Sequence, residues 1–314
     1  MPLDRRAVVG LLGGVLGAGA TTGGALAAGA SAASRATGTR VVLLGTKGGP
    51  TPSAYRAAPA TLVVAGGRPY LVDCGEGTAG QLAKAGVDLR SLGRVLVTHN
   101  HSDHVIGLGP LLVLAWASGL TTPVAVHGPP PVAEIVRRSV SAMAYDIEAR
   151  IREEGAPPLD PLIHVDEIDR PGPVFRDGDV VVTCAVVDHY TVKPALAYRF
   201  DTPGRSVVIS GDTTYSENLI ALARGADLLI HEAMYVEAID GLAASGGPTL
   251  RDHLLKSHTT TEQLGRIAAA AGVKKLVLSH LVPAFPSITD EMWLRGVRRH
   301  FAGETVVGRD LMEV

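Results

Sequence analysis

Four side chains able to bind a metal fall within six residues, at His99-Asn100-His101-Ser102-Asp103-His104. The run follows Arg94–Thr98, an apolar segment that predicts a buried strand. In an extended segment His99 and His101, two apart, project to the same side. A turn then carries Asp103 and His104 round to a second position. Neutral imidazoles together with a carboxylate suit a borderline cation such as zinc, so the chemistry this cluster points to is that of a bound metal ion.

The surrounding pattern shows what must position that cluster. Short strands are expected at Arg40–Leu44, Thr61–Ala65 and Pro69–Asp73, the last two joined through Gly66-Gly67 as a hairpin. Glu76–Ala85 reads as a helix stopped by Gly86, Leu108–Ser118 as a helix apolar on all sides, and Val132–Met143 as another. Further strands are expected at Pro123–His127, Val180–Val187, Ala195–Phe200, Ser206–Ser210, Asp227–Ile230, Lys275–Ser279 and Glu304–Val307. Leu219–Arg224, Thr260–Ala271 and Asp290–Phe301 complete the helices. Hairpins come first and helices interleave later, which suits mixed sheets packed face to face with helices outside. Tyr145–Pro173 and Tyr235–Lys256 carry no clear period, and long unpatterned stretches in compact domains are often functional.

Composition narrows the classes. Apolar residues make up 46% and charged residues 19% of 314, enough for a full core and too little charge for a disordered chain. The net charge of -2 advertises no nucleic-acid binder, and 7 Tyr, 4 Phe and 2 Trp are too few for an extended base-stacking platform. Cys74 and Cys184 cannot build a disulfide scaffold or a four-cysteine zinc site. Arg5-Arg6 followed by an uncharged Gly-, Ala- and Leu-rich stretch, with Ala30-Ser31-Ala32 near its end, reads as an export signal over 1–32, of the twin-arginine type. Residues 33–39 are then a linker and 40–314 the catalytic domain. Losing Asp4, Arg5 and Arg6 with the signal makes the mature chain more negative still. No later segment is long and apolar enough to span a bilayer, so stable membrane association after cleavage is not expected.

His-x-His-x-Asp-His after a strand resembles the metallo-β-lactamase superfamily, and the resemblance continues in order along the chain. Leu71-Val72-Asp73-Cys74-Gly75-Glu76-Gly77-Thr78 is similar to the upstream acidic motif. Asp188-His189, before a strand ending Ala197-Tyr198-Arg199-Phe200, is similar to the third histidine. Ser210-Gly211-Asp212-Thr213 is similar to the bridging-aspartate turn. Ile230-His231-Glu232-Ala233 and His258-Thr259-Thr260 resemble the ribonuclease Z and arylsulfatase-like branch, and Leu278-Ser279-His280 matches the last histidine. The resemblance spans Arg40 to Val314 and implies a four-layer αββα sandwich of two mixed β-sheets flanked by helices. It implies two metals, one held by His99, His101, His189 and Asp212, the other by Asp103, His104, His280 and the shared Asp212. Two zinc ions are expected, with Mn2+ or Fe2+ as alternatives, generating a bridging hydroxide that Asp103 can also orient.

Thr259 with Glu262 three residues on reads as a capping box, which places His258 just before a helix. By the resemblance His258 gives a proton to the leaving group, and Glu232 orients it. Asp73 is expected to support the metal loop by hydrogen bonding, while His231, His127 and the two cysteines read as structural. His164, His253 and His300 have no metal-type neighbours in sequence; His253, in an unpatterned stretch, is a candidate substrate contact. Gly45-Thr46-Lys47-Gly48-Gly49 lacks the Gly-Lys-Ser/Thr ending of a phosphate loop.

A β-lactamase proper is disfavoured by the second-site pattern. Bacterial ribonuclease Z carries a tRNA-gripping arm between the third histidine and the bridging aspartate, and here residues 190–211 are already used by strands. With the negative charge and the export signal, this argues against a nucleic-acid partner. The expectation is an exported dinuclear-zinc hydrolase cleaving a small-molecule ester, an aryl sulfate or a phosphodiester. The alternatives are a ribonuclease Z-like phosphodiesterase acting on RNA, a lactonase, or an inactive metal-binding module. Homo-oligomerisation stays open. A flavin-linked redox member is not expected, since no flavodoxin-like segment follows the domain.

Overall fold

The computed structural model describes residues 38–244 and 246–314. The expected export signal, and all of the linker except residues 38 and 39, lie outside the described residues. In chain order the strands are β1 Arg40–Gly45, β2 Ala60–Ala65, β3 Arg68–Val72, β4 Arg94–Leu96, β5 Val124–Gly128, β6 Ile163–Glu167, β7 Gly172–Asp177, β8 Val180–His189, β9 Val192–Asp201, β10 Ser206–Ile209, β11 Leu228–Met234, β12 Lys275–Val282, β13 Glu304–Val307 and β14 Met312–Glu313. The helices are α1 Thr78–Lys84, α2 Ser102–Val105, α3 Leu108–Ala117, α4 Val132–Ser141, α5 Ala144–Glu154, α6 Glu217–Ala223, α7 Ile239–Ala243, α8 Leu250–Ser257, α9 Thr261–Ala271 and α10 Asp290–Arg298.

Two seven-stranded mixed sheets form, in the orders β14-β1-β2-β3-β4-β5-β6 and β13-β12-β11-β10-β9-β8-β7. Strand alternation builds three cores at once. Along β1, Val42 and Leu44 face one helical layer while Val41 and Leu43 face the opposite sheet. Along β12, Leu276 and Leu278 face the other helical layer while Val277 enters the space between the sheets. Both faces of these strands are buried, which is why they read as unbroken apolar runs rather than as alternating ones. Tyr70, Tyr198 and Phe200 fill the inter-sheet layer, and each fully buried ring of this kind contributes roughly 2–3 kcal/mol through removal of apolar surface from water. The expected four-layer sandwich is the observed architecture.

Both unpatterned stretches hold regular structure. Residues 145–173 contain most of α5, all of β6 and the start of β7. In α5 only Ile147 and Ile151 turn toward the core and no residue is fully buried, so its apolar stripe is too thin to read. The edge strand β6, Ile-His-Val-Asp-Glu, is mostly exposed and polar, as unpaired edges tend to be. Residues 235–256 form a short 3-10 turn, α7 and α8 around a small core of Met234, Ile239, Leu254 and Val282.

The strands that matter for chemistry end at the same rim. β3, β4 and β5 run parallel in one sheet, as do β10, β11 and β12 in the other, so loops leaving their C-terminal ends converge. Beneath that rim the two sheets are stapled: Leu196 N donates to Thr98 O at 2.8 Å, and the buried Tyr198 hydroxyl donates to Val97 O at 2.7 Å.

Candidate metal centre and active site

The loop after β4 carries His99 and His101, and α2 opens at once to carry Asp103 and His104. His189 ends β8, Asp212 follows β10, and His280 lies within β12. All seven residues expected to hold metal come together. Ligand-capable atoms of His99, His101, His189 and Asp212 lie within 4.8 Å of one another, as do those of Asp103, His104 and His280. His99 Nε2 and His189 Nε2 stand 3.0 and 3.1 Å from His101 Nδ1, three nitrogens turned inward on one point. Asp212 bridges the sets: Oδ2 is 3.8 Å from His99 Nε2 and 3.2 Å from His280 Nε2, and Oδ1 is 3.5 Å from His104 Nε2.

Buried hydrogen bonds aim these rings. Thr98 N and Oγ1 both donate to Asp73, whose Oδ2 pairs with His104 Nδ1 at 2.8 Å. That bond leaves His104 Nε2 facing the centre, buried and, among the described residues, without a hydrogen-bond partner, as is Asp212 Oδ1. His189 Nδ1 donates to the Ser257 carbonyl at 2.9 Å, which turns its Nε2 inward. Such outer partners fix tautomer and ring orientation in metal sites. Buried polar atoms are rarely left unpaired, so an orphaned nitrogen and an orphaned carboxylate oxygen 3.5 Å apart fit a cation there.

The electrostatics agree with two kinds of subsite. Burial drives His99 well below the usual imidazole range, with the His104 charge adding to the shift, and takes His189 down to about 4. His101 is lowered by burial too, so the three-histidine set is neutral, the form that binds metal. At the second set burial opposes charge on His104, yet Asp212, Asp73 and Asp103 hold it well above its ordinary value. Burial likewise opposes charge on Asp212, but His280, His104 and His99 keep it well below the usual carboxylate range. Three carboxylates around one imidazole make this side a cation trap.

His258 and Glu232 are a third component. Glu232 Oε1 lies 3.0 Å from His258 Nδ1 and also accepts from Thr213 N at 3.1 Å and Thr259 N at 3.3 Å. Burial disfavours the charged imidazole, but Glu232 and then Asp212 raise His258 to about 9. The His258 nitrogen Nδ1 is 4.0 Å from Asp212 Oδ2, so the pair stands beside the clusters; Asp212, His258 and His280 also form a set of mutually close ligand atoms. The capping box differs from expectation by one residue. Thr260 Oγ1 accepts from Gln263 N and Thr260 N donates to Gln263 Oε1, while Thr259 Oγ1 donates to Thr213 O at 2.5 Å. The run Thr-Thr-Thr-Glu-Gln fits the motif in two registers, and only the tertiary bond from Thr259 selects between them.

Two conformations depend on residues chosen for them. Gly211 has φ +59°, and a Cβ there would lie 2.7 Å from Leu196 O and 2.8 Å from Thr98 Cβ. At Gly75 a Cβ would approach Asp103 O to 2.5 Å. His231 is buried with Nδ1 on the Glu232 carbonyl and belongs to none of the clusters, and His127 lies between Arg94 and Asp166. Cys74 and Cys184 are free thiols. Sequence reasoning missed Ser257, whose backbone carbonyl orients His189; no side-chain pattern signals such a role.

A cavity of about 720 Å³ opens onto the site. The 50–55 loop forms one part of its lining and Leu250, Leu254, Val282 and Phe285 another, with His101, Asp103, Asp212, His258 and His280 also exposed to it.

A family model described as a β-lactamase superfamily domain matches residues 68–281. The ribonuclease Z of Mycobacterium avium (strain 104) is 39% identical over 281 residues, covering 87% of this chain and 97% of that protein. That of Mycobacterium bovis (strain BCG / Pasteur 1173P2) is 35% identical over 277 residues, again 87% and 97%. Among solved structures, the metallo-β-lactamase fold protein YhfI from Bacillus subtilis superposes with a TM-score of 0.65 at 24% identity, covering 88% of this chain and 98% of that one. Human tRNase Z, short form, gives 0.65 at 23%, with the same coverages. The chain belongs to the metallo-β-lactamase superfamily. Within it the chain is a metal-dependent hydrolase whose homologues include ribonuclease Z proteins.

One expectation is corrected. The absence of a nucleic-acid partner was inferred from net charge, from an export signal and from the lack of an arm between His189 and Asp212. Residues 190–211 are indeed taken up by β9, β10 and their turns. Yet relatives bearing the name ribonuclease align over 87% of this chain at up to 39% identity. Net charge averages over a whole surface and says little about the few groups that meet a phosphodiester at the site.

Proposed function

We propose that this protein is a dinuclear zinc phosphodiesterase of the ribonuclease Z kind, acting on RNA. The observation that carries the reading is the pair of His/Asp clusters sharing Asp212 beside the His258–Glu232 pair, in a chain 39% identical to a ribonuclease Z. Aryl sulfate hydrolysis, one of the two leading expectations from sequence beside phosphodiester cleavage, finds no support among these relatives.

His99, His101, His189 and Asp212 would hold one zinc, and Asp103, His104, His280 and Asp212 the other. Two such cations supply Lewis acidity toward a phosphoryl oxygen and acidify water for attack. The chain's own residues do the rest. Asp73 and Ser257 lock the tautomers of His104 and His189. Asp212 holds the two sets in register. Glu232, bonded to Nδ1, keeps the His258 ring protonated, and the Nε2 proton is the one that would pass to the departing oxygen. The test is metal analysis with a cleavage assay on an RNA bearing a 3′ extension. Two transition-metal ions per chain and endonucleolytic cleavage are expected, and His101→Ala is expected to lose at least one metal. A protein carrying both metals but inert toward every RNA tested would refute the RNA reading.

We propose as well that residues 1–32 direct export through the twin-arginine route, on the basis of Arg5-Arg6 and the uncharged stretch that follows. Replacing both with Lys is expected to leave precursor in the cytoplasm; unimpaired export of that double variant would rule out the twin-arginine route.

A further inference from the structure

Beyond the five imidazoles of the two clusters and His258, a seventh, His253, borders the cavity. His253 stands on α8 one turn before Ser257, half-buried, and lines the cavity shared by His101, Asp212 and His258. Its ring centre is 6.1 Å from that of His101 and 6.4 Å from those of His189 and His258. It belongs to none of the sets of mutually close ligand atoms. His253 Nδ1 lies 3.3 Å from Ser257 Oγ, and among the described residues neither that hydroxyl nor His253 Nε2 has another hydrogen-bond partner.

With the Ser257 hydroxyl as donor to Nδ1, the ring carries its proton on Nε2, and the doubly protonated ring, donating from Nδ1 to Oγ, carries one there too. The carbonyl of the same serine accepts from His189 Nδ1 at 2.9 Å, and the next residue is His258. Ser257 thus touches His189 and His253 and precedes His258, so three imidazoles gather around one space, two of them already assigned. The third offers an N–H to a site whose substrate, a phosphodiester, carries non-bridging oxygens that only accept. We infer that His253 is a substrate-binding residue: its Nε2–H donates to a non-bridging phosphoryl oxygen of the ester held over the two clusters, and Ser257 positions it. This rests on the phosphodiesterase reading, because only an oxyanion substrate calls for a donor there.

The experiment titrates inorganic phosphate into metal-loaded wild type, His253→Phe, His253→Gln and Ser257→Ala by calorimetry, with metal content measured on each sample. Phe keeps a planar ring and removes the donor; Gln places an amide N–H near the former Nε2. Loss of a hydrogen bond to a charged acceptor is expected to weaken phosphate roughly tenfold or more in His253→Phe. His253→Gln is expected within about threefold of wild type, and Ser257→Ala between the two, all with unchanged metal content. On a nitrophenyl phosphodiester, KM is expected to rise more than kcat falls in His253→Phe. Phosphate affinity equal to wild type in His253→Phe overturns the proposal. So does loss of metal in that variant, failure of Gln to recover binding, or a wild type that does not bind phosphate. Phosphate binding needs no turnover: a protein that binds phosphate through His253 yet cleaves no phosphodiester sinks the proposed function and leaves the oxyanion contact standing.

Discussion

At the level of single residues, the site separates groups that collect a cation from groups that manage a proton. The buried His258–Glu232 pair has no need of the metals to stay together, since Glu232 also accepts from Thr213 N and Thr259 N. A proton donor matters only when the departing oxygen is a poor leaving group. His258→Ala is therefore expected to keep both metals and to lose roughly 10²–10⁴-fold in rate on RNA, with a much smaller loss on a nitrophenyl phosphodiester. Asp212→Ala, which removes the residue common to both clusters, is expected to abolish both activities. Equal losses for His258→Ala on good and poor leaving groups, measured where chemistry limits the rate, would remove His258 from the donor role. The seven metal-type residues were readable in sequence because each falls in a short motif on or after an apolar strand run. The carbonyl of Ser257 was not, because any residue type supplies one.

Elements explain why those motifs meet. The apolar runs at Arg40–Gly45, Ala60–Ala65 and Lys275–Val282 were legible because both of their faces are buried. α5 and β6 were not, because they sit at the periphery with one thin apolar edge. α7 and α8 escaped for another reason: their core of Ile239 and Leu254 is completed by Met234 and Val282 from neighbouring strands, so no local periodicity is complete. The turn from β10 into Asp212 is the most constrained link between element and site. Gly211→Ala would put a methyl group 2.7 Å from Leu196 O at a positive φ, so either the turn moves or the β9 strand does. We expect a stability loss of roughly 1–3 kcal/mol in denaturant unfolding, with metal content reduced because Asp212 shifts. Wild-type stability with full metal occupancy would show that the turn yields without moving the carboxylate.

Taken as a whole molecule, the two sheets meet at a rim where buried ionisable groups outnumber their protein partners. His104, Asp103 and Asp212 are each nearly or fully inaccessible to water, and His104 Nε2 and Asp212 Oδ1 are orphaned. Without a cation this rim sets desolvated carboxylates against one another, a cost the inter-sheet core must offset. Ligands that bind only the folded state stabilise it by mass action, about 4 kcal/mol for a free concentration a thousand times Kd. For a domain of this size each kcal/mol moves Tm by roughly 2–4 °C, so removing the metals is expected to lower Tm by about 8–16 °C. The wild-type protein, unfolded by heat before and after exhaustive chelation, reads this directly, and re-addition of zinc should restore the higher value. His101→Ala, which deletes the nitrogen at the meeting point of the three-histidine set, should show a smaller fall on chelation because one ion is already weakened. If the chelated protein melts within about 2 °C of the loaded one, the rim is stable without cations. The buried His/Asp clusters would then be held by the β-sandwich alone, and the metals would contribute to chemistry and not to the fold.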